Sequence, residues 1–317
     1  MTKIIYLLIG IFLLQSCEKK ELSESEILDI IHSQEGYENL HLKADFLTGN
    51  TLVDSTNKIK KVLNDENFKS IYEADFNNDG KIDYLVNLSY KKSLDSNDVI
   101  KNYIAKDNYQ TIVLLSRDKG YTFLNPGKGN IYQIVAAKII QYKNQPFIKM
   151  IRYHTDFDSS TEIFDVDTLM IKNNELMEYY SKIKKHKIKK IIFTQNKLFS
   201  TKKIYRLTLT EDSLLLNSDH YKNLRGNFSG EGYAGFQKLA NDLNEVNFSK
   251  INDRYPFWSD DFFVATEITF DNGKSKEIYD YNGKRYLWLI NFYEKIDTLM
   301  AKQKWVEIEY PSAKKNR

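Results

Sequence analysis

The chain contains a single cysteine, Cys17, among 317 residues. A disulfide within the chain is therefore impossible, and neither a Cys/His catalytic pair nor a zinc motif is present. The five histidines have no common metal-ligand spacing such as H-x-x-x-H, and a G-x-S-x-G nucleophile motif is also absent. Because the strongest sequence signals of catalysis are missing, we expect a protein that is not an enzyme. The histidines are His32, His41, His154, His186 and His220.

The chain also lacks an excess of charge of one sign. Its 46 basic and 43 acidic residues give a net charge of +3 with histidine neutral, so we expect no nucleic-acid partner. Prolines are few, at four, whereas aromatic residues make up 14% of the chain. This composition is typical of a globular, strand-rich protein and not of a disordered one, and the length suggests two domains.

The amino terminus has the sequence pattern of an export signal. Lys3 provides a positive charge and residues 4–14 form an apolar run. The run is too short for a stable transmembrane helix, so residues 1–16 are predicted to be a signal peptide.

The end of this signal resembles a bacterial lipobox, in the residues Leu14-Gln15-Ser16-Cys17. The resemblance implies that Cys17 becomes the first mature residue and carries lipid. Several acyl chains would attach the protein lastingly to a membrane of the cell envelope, on its periplasmic or surface face, with residues 17–22 as a tether. The alternative is an ordinary secretory signal that contains an incidental cysteine.

The stretch from Asp75 to Val86 has the residue types and the spacing of a calcium loop. Gly80 stands where such a loop turns sharply, and the apolar, β-branched flanks favour strands over the helices of an EF-hand. Val86 occupies the position at which an EF-hand has its bidentate glutamate. The sequence therefore predicts a structural Ca²⁺ site. Its predicted ligands are Asp75, Asn77, Asp79, the backbone carbonyl of Lys81, and Asp83.

The same residues resemble the calcium hairpins of the FG-GAP and VCBS families. The pattern Asp-x-Asn-x-Asp-Gly-x-x-Asp, followed by an apolar strand, is matched from Asp75 to Asp83. Those families build propellers from many copies, and this sequence has one copy. The resemblance therefore implies a single metal hairpin and not a propeller. The alternative is a metal-free Asn-Asp-Gly turn.

Residues 23–181 are predicted to form an α+β domain around this hairpin. Ser23 and Glu26 make a capping box for a helix that ends at Gly36, and residues 58–64 favour a second short helix. The apolar or alternating runs that follow predict an antiparallel meander. The predicted strands cover residues 71–76, 82–88, 111–116, 131–140, 147–153 and 162–171.

A basic run separates this domain from the rest of the chain. Residues 182–190 hold six lysines and His186. They are predicted to be a solvated linker between two domains. The alternative is a patch for anionic lipid or polysaccharide.

Residues 191–317 are predicted to form a second α+β domain, again a mainly antiparallel sheet with one or two helices. Phe236, Leu239, Ala240 and Leu243 have helical spacing, and Asn272-Gly273 is a strong hairpin signal. The predicted strands cover residues 189–194, 204–210, 213–217, 263–270, 274–281 and 305–308, with a last helix at residues 286–301.

Residues 189–310 resemble a family of uncharacterised bacterial domains that are often found in lipoproteins. Many relatives carry a Cys-x-x-Cys-Pro segment, but residues 196–203 have no cysteine. The resemblance implies a fold and leaves the activity open. The residues that carry it are Tyr205 to Leu209, Gly230 or Gly232, Phe248, Asp253 to Tyr255, Asp280-Tyr281-x-Gly283, and Ile296-Asp297 ahead of Trp305.

Two other patterns have both a functional and a structural interpretation. Gly230-x-Gly232-x-x-Gly235 matches a dinucleotide-binding fingerprint, but it lacks the parallel-sheet context, so a loop before a helix is favoured. Asp156, Asp158, Asp165 and Asp167 could provide a catalytic acidic pair, such as Asp156 with Asp165, or could form the polar face of a hairpin.

The sequence as a whole predicts a membrane-anchored envelope protein that acts as a non-enzymatic binding or scaffold module. The expected partners are the membrane, through lipid on Cys17, and an envelope protein or glycan. Two alternatives remain: an envelope hydrolase that uses the acidic pair, and an inhibitor or partner of a secreted enzyme.

Overall fold

The computed structural model describes residues 21–43, 57–90, 109–127, 134–156, 161–197, 203–231, 233–246, 262–281 and 287–309. The predicted signal peptide, Cys17 and residues 18–20 of the tether lie outside these ranges. The described chain is mainly β-sheet with few helices, and its strands form two largely antiparallel sheets. It divides into two compact units. Unit 1 comprises residues 1–126, 132–166 and 170–175, and unit 2 comprises residues 127–131, 167–169 and 176–317.

The first sheet has nine strands. Its main path is β1-β3-β4-β6-β7-β8-β9, with β2 paired to β3 and β5 paired to β4. The two strands on either side of the predicted calcium loop pair antiparallel, with Ala74 opposite Asp83, as the sequence predicted. In chain order the strands are β1 (Leu40–Leu42), β2 (Ile71–Ala74), β3 (Asp83–Tyr90), β4 (Tyr109–Ser116), β5 (Tyr121–Leu124), β6 (Ile134–Tyr142), β7 (Gln145–Asp156), β8 (Thr161–Lys172) and β9 (Glu175–Glu178).

The prediction of a purely antiparallel meander is wrong at one point. Strands β4 and β6 pair in parallel, through Tyr109 and Ile134. The reason is the short strand β5, which turns back along β4 and pairs with it from Ser116 to Val113. It occupies the edge of β4 that a following antiparallel strand would have used.

Two helices bury apolar side chains in unit 1. Helix α1 (Glu24–His32) is capped by Ser23, and the predicted capping box with Glu26 is confirmed. Helix α2 (Asn57–Glu66) buries Leu63. Helix α1 packs through Ile27 and Ile31 into a core that also contains Leu40, Tyr84, Val86, Leu88, Ile112 and Leu114.

The sheet of unit 2 has seven strands in the order β15-β14-β10-β11-β12-β13-β16. Helices α3 (Tyr233–Leu243) and α4 (Leu287–Ala301) share its core, so the predicted helices are confirmed. The strands are β10 (Ile188–Lys197), β11 (Lys203–Thr210), β12 (Leu214–Tyr221), β13 (Leu224–Gly230), β14 (Phe262–Phe270), β15 (Ser275–Tyr281) and β16 (Val306–Glu307). All of their pairings are antiparallel.

The basic run has no regular structure up to β10. The backbone N–H of His186 donates to Asn244 Oδ1 at 2.7 Å, and Asn244 Nδ2 donates back to the carbonyl of His186 at 2.9 Å. The lysines at 182, 184 and 185 are exposed to solvent. The run lies within unit 2, where His186 is hydrogen-bonded to Asn244 while these lysines are exposed.

Candidate metal site

The loop between β2 and β3 folds around the carboxylate of Asp75. Asp75 Oδ1 accepts a hydrogen bond from the backbone N–H of Asp79 at 3.0 Å, and Oδ2 accepts one from Gly80 at 2.7 Å. Asn78 and Gly80 have positive φ values, of 58° and 82°, which asparagine and glycine adopt most readily. The residue types of the motif thus determine the local backbone path.

The other acidic and amide side chains of the loop also bind its own backbone. Asn77 Oδ1 accepts a hydrogen bond from Asp79 N–H at 3.2 Å, and Asp79 Oδ1 accepts one from Lys81 N–H at 2.9 Å. Asn77 Nδ2 donates to Asp79 Oδ2 at 3.2 Å. Each of these oxygens has a second lone pair that a cation could use.

Asp83 is buried beneath the loop, with 0% of its surface exposed. Its Oδ2 accepts a hydrogen bond from Phe76 N–H at 2.9 Å, and its Oδ1 accepts one from Ser116 N–H at 2.8 Å. The hydroxyl of Ser116 donates in turn to the carbonyl of Ile82. Asp83 therefore joins the loop to the end of β4, where the turn to β5 begins.

The electrostatics of the loop favour a bound cation. Burial raises the pKa of Asp83, the two backbone hydrogen bonds lower it, and the charges of Asp79 and Asp75 raise it again, so that the pKa lies at about 6. The one lysine in the loop does not offset these charges, because Lys81 Nζ pairs with Asp118 at 2.6 Å. That pair raises the pKa of Lys81 and lowers the pKa of Asp118.

The donor set fits calcium. It consists of oxygen atoms alone, which suit a hard cation, and a buried carboxylate lies among like charges that a cation would neutralise. Asp75, Asn77, Asp79, the Lys81 carbonyl and Asp83 would hold the ion. As the side chains stand, no three His, Cys, Asp or Glu residues in the described ranges are grouped so that they could hold a metal.

The structure describes the side chains of two of the four acidic residues on and between β7 and β8. The side chains of Asp156 and Asp158 lie outside the described residues, so the separation of Asp156 from Asp165 is not defined. Asp165 and Asp167 are half-buried. They share a strand face with Leu169, which is fully buried.

The glycine pattern at residues 230–235 has a packing role. A Cβ atom on Gly235 would lie 2.6 Å from Leu299 Cδ1, so this glycine allows α3 to approach α4 closely. A Cβ on Gly230 would lie 2.9 Å from Gln303 Oε1. Gly230 ends β13, which pairs antiparallel with β12 and β16. The predicted loop before the helix is therefore shorter than expected, because Gly230 still belongs to a strand and Glu231 follows it without regular structure. The strands that pair with β13 lack the parallel arrangement of a dinucleotide site.

Sequence analysis did not identify the residues that hold the candidate loop and the start of helix α4 in place. Ser116 and Phe76 contribute only backbone groups to Asp83, so side-chain motifs give no sign of them. Glu178 is buried and accepts hydrogen bonds from the N–H groups of Leu287 and Trp288, at 3.0 and 3.2 Å, at the start of α4. A single acid in a short strand carries no sequence signal for this helix-capping role.

The described fold is that of a two-sheet, largely antiparallel β protein with few helices. A family model described as a domain of unknown function, DUF6438, matches residues 189–300, which run from β10 into the last turn of α4. No curated protein and no solved structure matches the chain. Among the described residues, no helix is both long and apolar enough to cross a membrane.

Proposed function

We propose that this protein is an exported, lipid-anchored component of the cell envelope that acts as a non-enzymatic binding or scaffold module. Its two units are proposed to be two α+β domains, and the first has a structural calcium site. The anchor is the lipid on Cys17, which is supported by the apolar run of residues 4–14 and by the lack of any other cysteine.

The position of Asp83 is the observation that supports a structural role for the loop. This carboxylate is fully buried and holds two backbone N–H groups from separate parts of unit 1. A catalytic carboxylate must reach its substrate, whereas Asp83 faces the protein interior. The chemistry suits a clamp that fastens the β2–β3 hairpin to the β4–β5 turn.

The anchor can be tested by expressing the full chain in a bacterial host and separating membrane from soluble fractions. We expect the wild type in the membrane fraction, with acylated Cys17 as its first residue by mass spectrometry. The Cys17→Ser variant should move to the soluble fraction of the envelope. A variant that stays with the membrane would contradict the anchor.

Binding and hydrolysis can be separated with one further assay. The soluble chain from residue 18 is incubated with purified cell-wall glycan, which is then sedimented and analysed for released fragments. Retention on the glycan without release supports a binding module. Release of fragments that Asp165→Asn abolishes, and that the exposed-turn control Asp212→Asn does not, would establish the hydrolase instead. If neither retention nor release occurs, the partner is not this glycan, and crosslinking in intact membranes then identifies a protein partner.

A further inference from the structure

The described part of the chain begins with a contact next to the candidate calcium loop. The backbone N–H of Leu22 donates to the hydroxyl of Tyr84 at 2.8 Å. Tyr84 is 1% exposed, and Leu22 packs against the same apolar core as helix α1. The start of the fold is thus fixed on β3, one residue after Asp83.

This contact lies at one end of the first sheet. Tyr84 is opposite Glu73 on β2 and opposite Leu114 on β4, so the β4–β5 turn that contains Lys119 lies at the same end. The other end of β3 is Tyr90, which pairs with Leu40. The six steps from residue 84 to residue 90 span roughly 20 Å.

The length of chain before Leu22 limits how far this end can lie from the lipid. Five residue steps separate Cys17 from Leu22, and even fully extended they reach only about 18 Å. The far end of the sheet, at Asn39 and Leu40, is separated from the Leu22 end by about the length of β3.

We propose that the end of unit 1 formed by Leu22, Glu73 and the β4–β5 turn faces the bilayer, with the lipid headgroup layer as its partner. This inference rests on the lipid anchor proposed above. It places the calcium loop on the membrane side of unit 1 and the Leu40–Tyr90 end on the distal side.

Either the short tether or electrostatic attraction to the membrane could set the position of this end. The charged residues at this end distinguish the two. Glu21, Glu24 and Glu73 are exposed there together with Lys119, so this end has no excess of positive charge that would attract anionic headgroups. The orientation is therefore imposed by chain length and by the Leu22 contact. It should persist in phosphatidylcholine vesicles and at high salt, where a charge-driven contact is screened.

The test uses the lipidated full-length protein, reconstituted in phosphatidylcholine vesicles that contain a headgroup nitroxide lipid. Because Cys17 is blocked by lipid and is the only native cysteine, a fluorophore can be attached at one introduced cysteine. The positions are E73C and K119C at the proposed membrane-facing end and N39C at the distal end, all exposed in the fold. Unlipidated proteins with Cys17→Ser give the background.

We expect the labels at 73 and 119 to lose most of their fluorescence and the label at 39 to lose little. Quenching of the label at residue 119 is the decisive result. This residue lies in the β4–β5 turn, whereas the tether is joined to β3 through Leu22 and Tyr84. Equal quenching at all three positions, or stronger quenching at 39, overturns the orientation while the anchor stands. If the mature protein carries no lipid and does not remain with the vesicles, the anchor itself fails, and the orientation that depends on it fails with it.

Discussion

Asp83 Oδ1 accepts a hydrogen bond from the backbone N–H of Ser116 at 2.8 Å, across 33 residues of sequence. Its other oxygen holds the N–H of Phe76. One buried carboxylate thus fastens the candidate calcium loop to a neighbouring turn. Both hydrogen bonds are to backbone N–H groups, so the contribution of Asp83 to folding can be tested apart from calcium binding.

Asp83→Asn should lower the free energy of unfolding even in the presence of EGTA. An amide has one acceptor oxygen, so its NH₂ group would face one of the two backbone N–H donors, and such a buried mismatch costs about 1–3 kcal/mol. Urea denaturation measures the loss. Asp29→Asn, at an exposed position on helix α1, is the matched control and should remain close to the wild type. Equal midpoints for Asp83→Asn and the wild type would refute the clamp.

Asn87 should be among the most sensitive polar residues in unit 1. It is fully buried, and its amide donates to the carbonyls of Lys69 and Ala137 while accepting from Ala137 N–H and the Thr111 hydroxyl. Asn87→Ala removes a partner from several buried groups at about 1–3 kcal/mol each, so we expect a loss of about 3 kcal/mol or more. The exposed Asn217→Ala should cost far less; similar losses in the two variants would contradict the network.

Glu66 should contribute stability that depends on pH. It bridges Lys138 and Lys149, which lie opposite each other on β6 and β7, where like charges destabilise. Burial alone would raise the pKa of Glu66, but the hydrogen bonds and charges of the two lysines outweigh it and lower the pKa below 4.5.

A carboxyl with a lowered folded-state pKa stabilises the fold above its unfolded pKa and loses that contribution as pH falls. Glu66→Gln should therefore cost about 1–2 kcal/mol at pH 7, and the difference from the wild type should shrink below pH 4.5. Denaturation curves at pH 7 and pH 3, with exposed Glu175→Gln as the control, measure this. A pH-independent difference would contradict the ion bridge.

Glu178 should control the start of helix α4. Its two oxygens hold the N–H groups of Leu287 and Trp288, and a negative charge there also favours the helix dipole. Glu178→Gln should destabilise unit 2 by about 1–3 kcal/mol and speed hydrogen exchange at these two amides. Exposed Glu277→Gln should change neither quantity. Unchanged exchange in Glu178→Gln would show that the helix start does not depend on this contact.

The fold was largely predictable where one local rule decides the outcome. The capping box of Ser23 and Glu26 gives α1, and the spacing from Phe236 to Leu243 gives α3, because cap chemistry and helical period act within a few residues. Strands β1, β5, β9 and β13 were missed. In β13 only Phe228 is a fully buried large side chain, and glycines occupy two positions on its face, so tertiary pairing and not local pattern makes it a strand.

The sequence proposes a set of ligands for the candidate site, but it does not give their arrangement. The spacing from Asp75 to Asp83 identifies the acidic loop. It cannot show that Asp83 is the buried member, because that depends on Ser116 in another hairpin. The pairing of Lys81 with Asp118 is likewise a contact between separate turns. Asn87 stands in an otherwise apolar run, and a lone polar residue there was the one available sign of a buried hydrogen-bond network.

The most direct test of the calcium site is a thermal melt of unlipidated protein in EGTA and in excess Ca²⁺. The account predicts a higher midpoint with calcium, since a ligand at a hundredfold excess over its Kd adds about 2.7 kcal/mol to the folded state. Asp79→Ala should remove the calcium-dependent rise, and Asp29→Ala, at an exposed position outside the loop, should keep it. Identical wild-type midpoints in EGTA and in calcium would contradict the site.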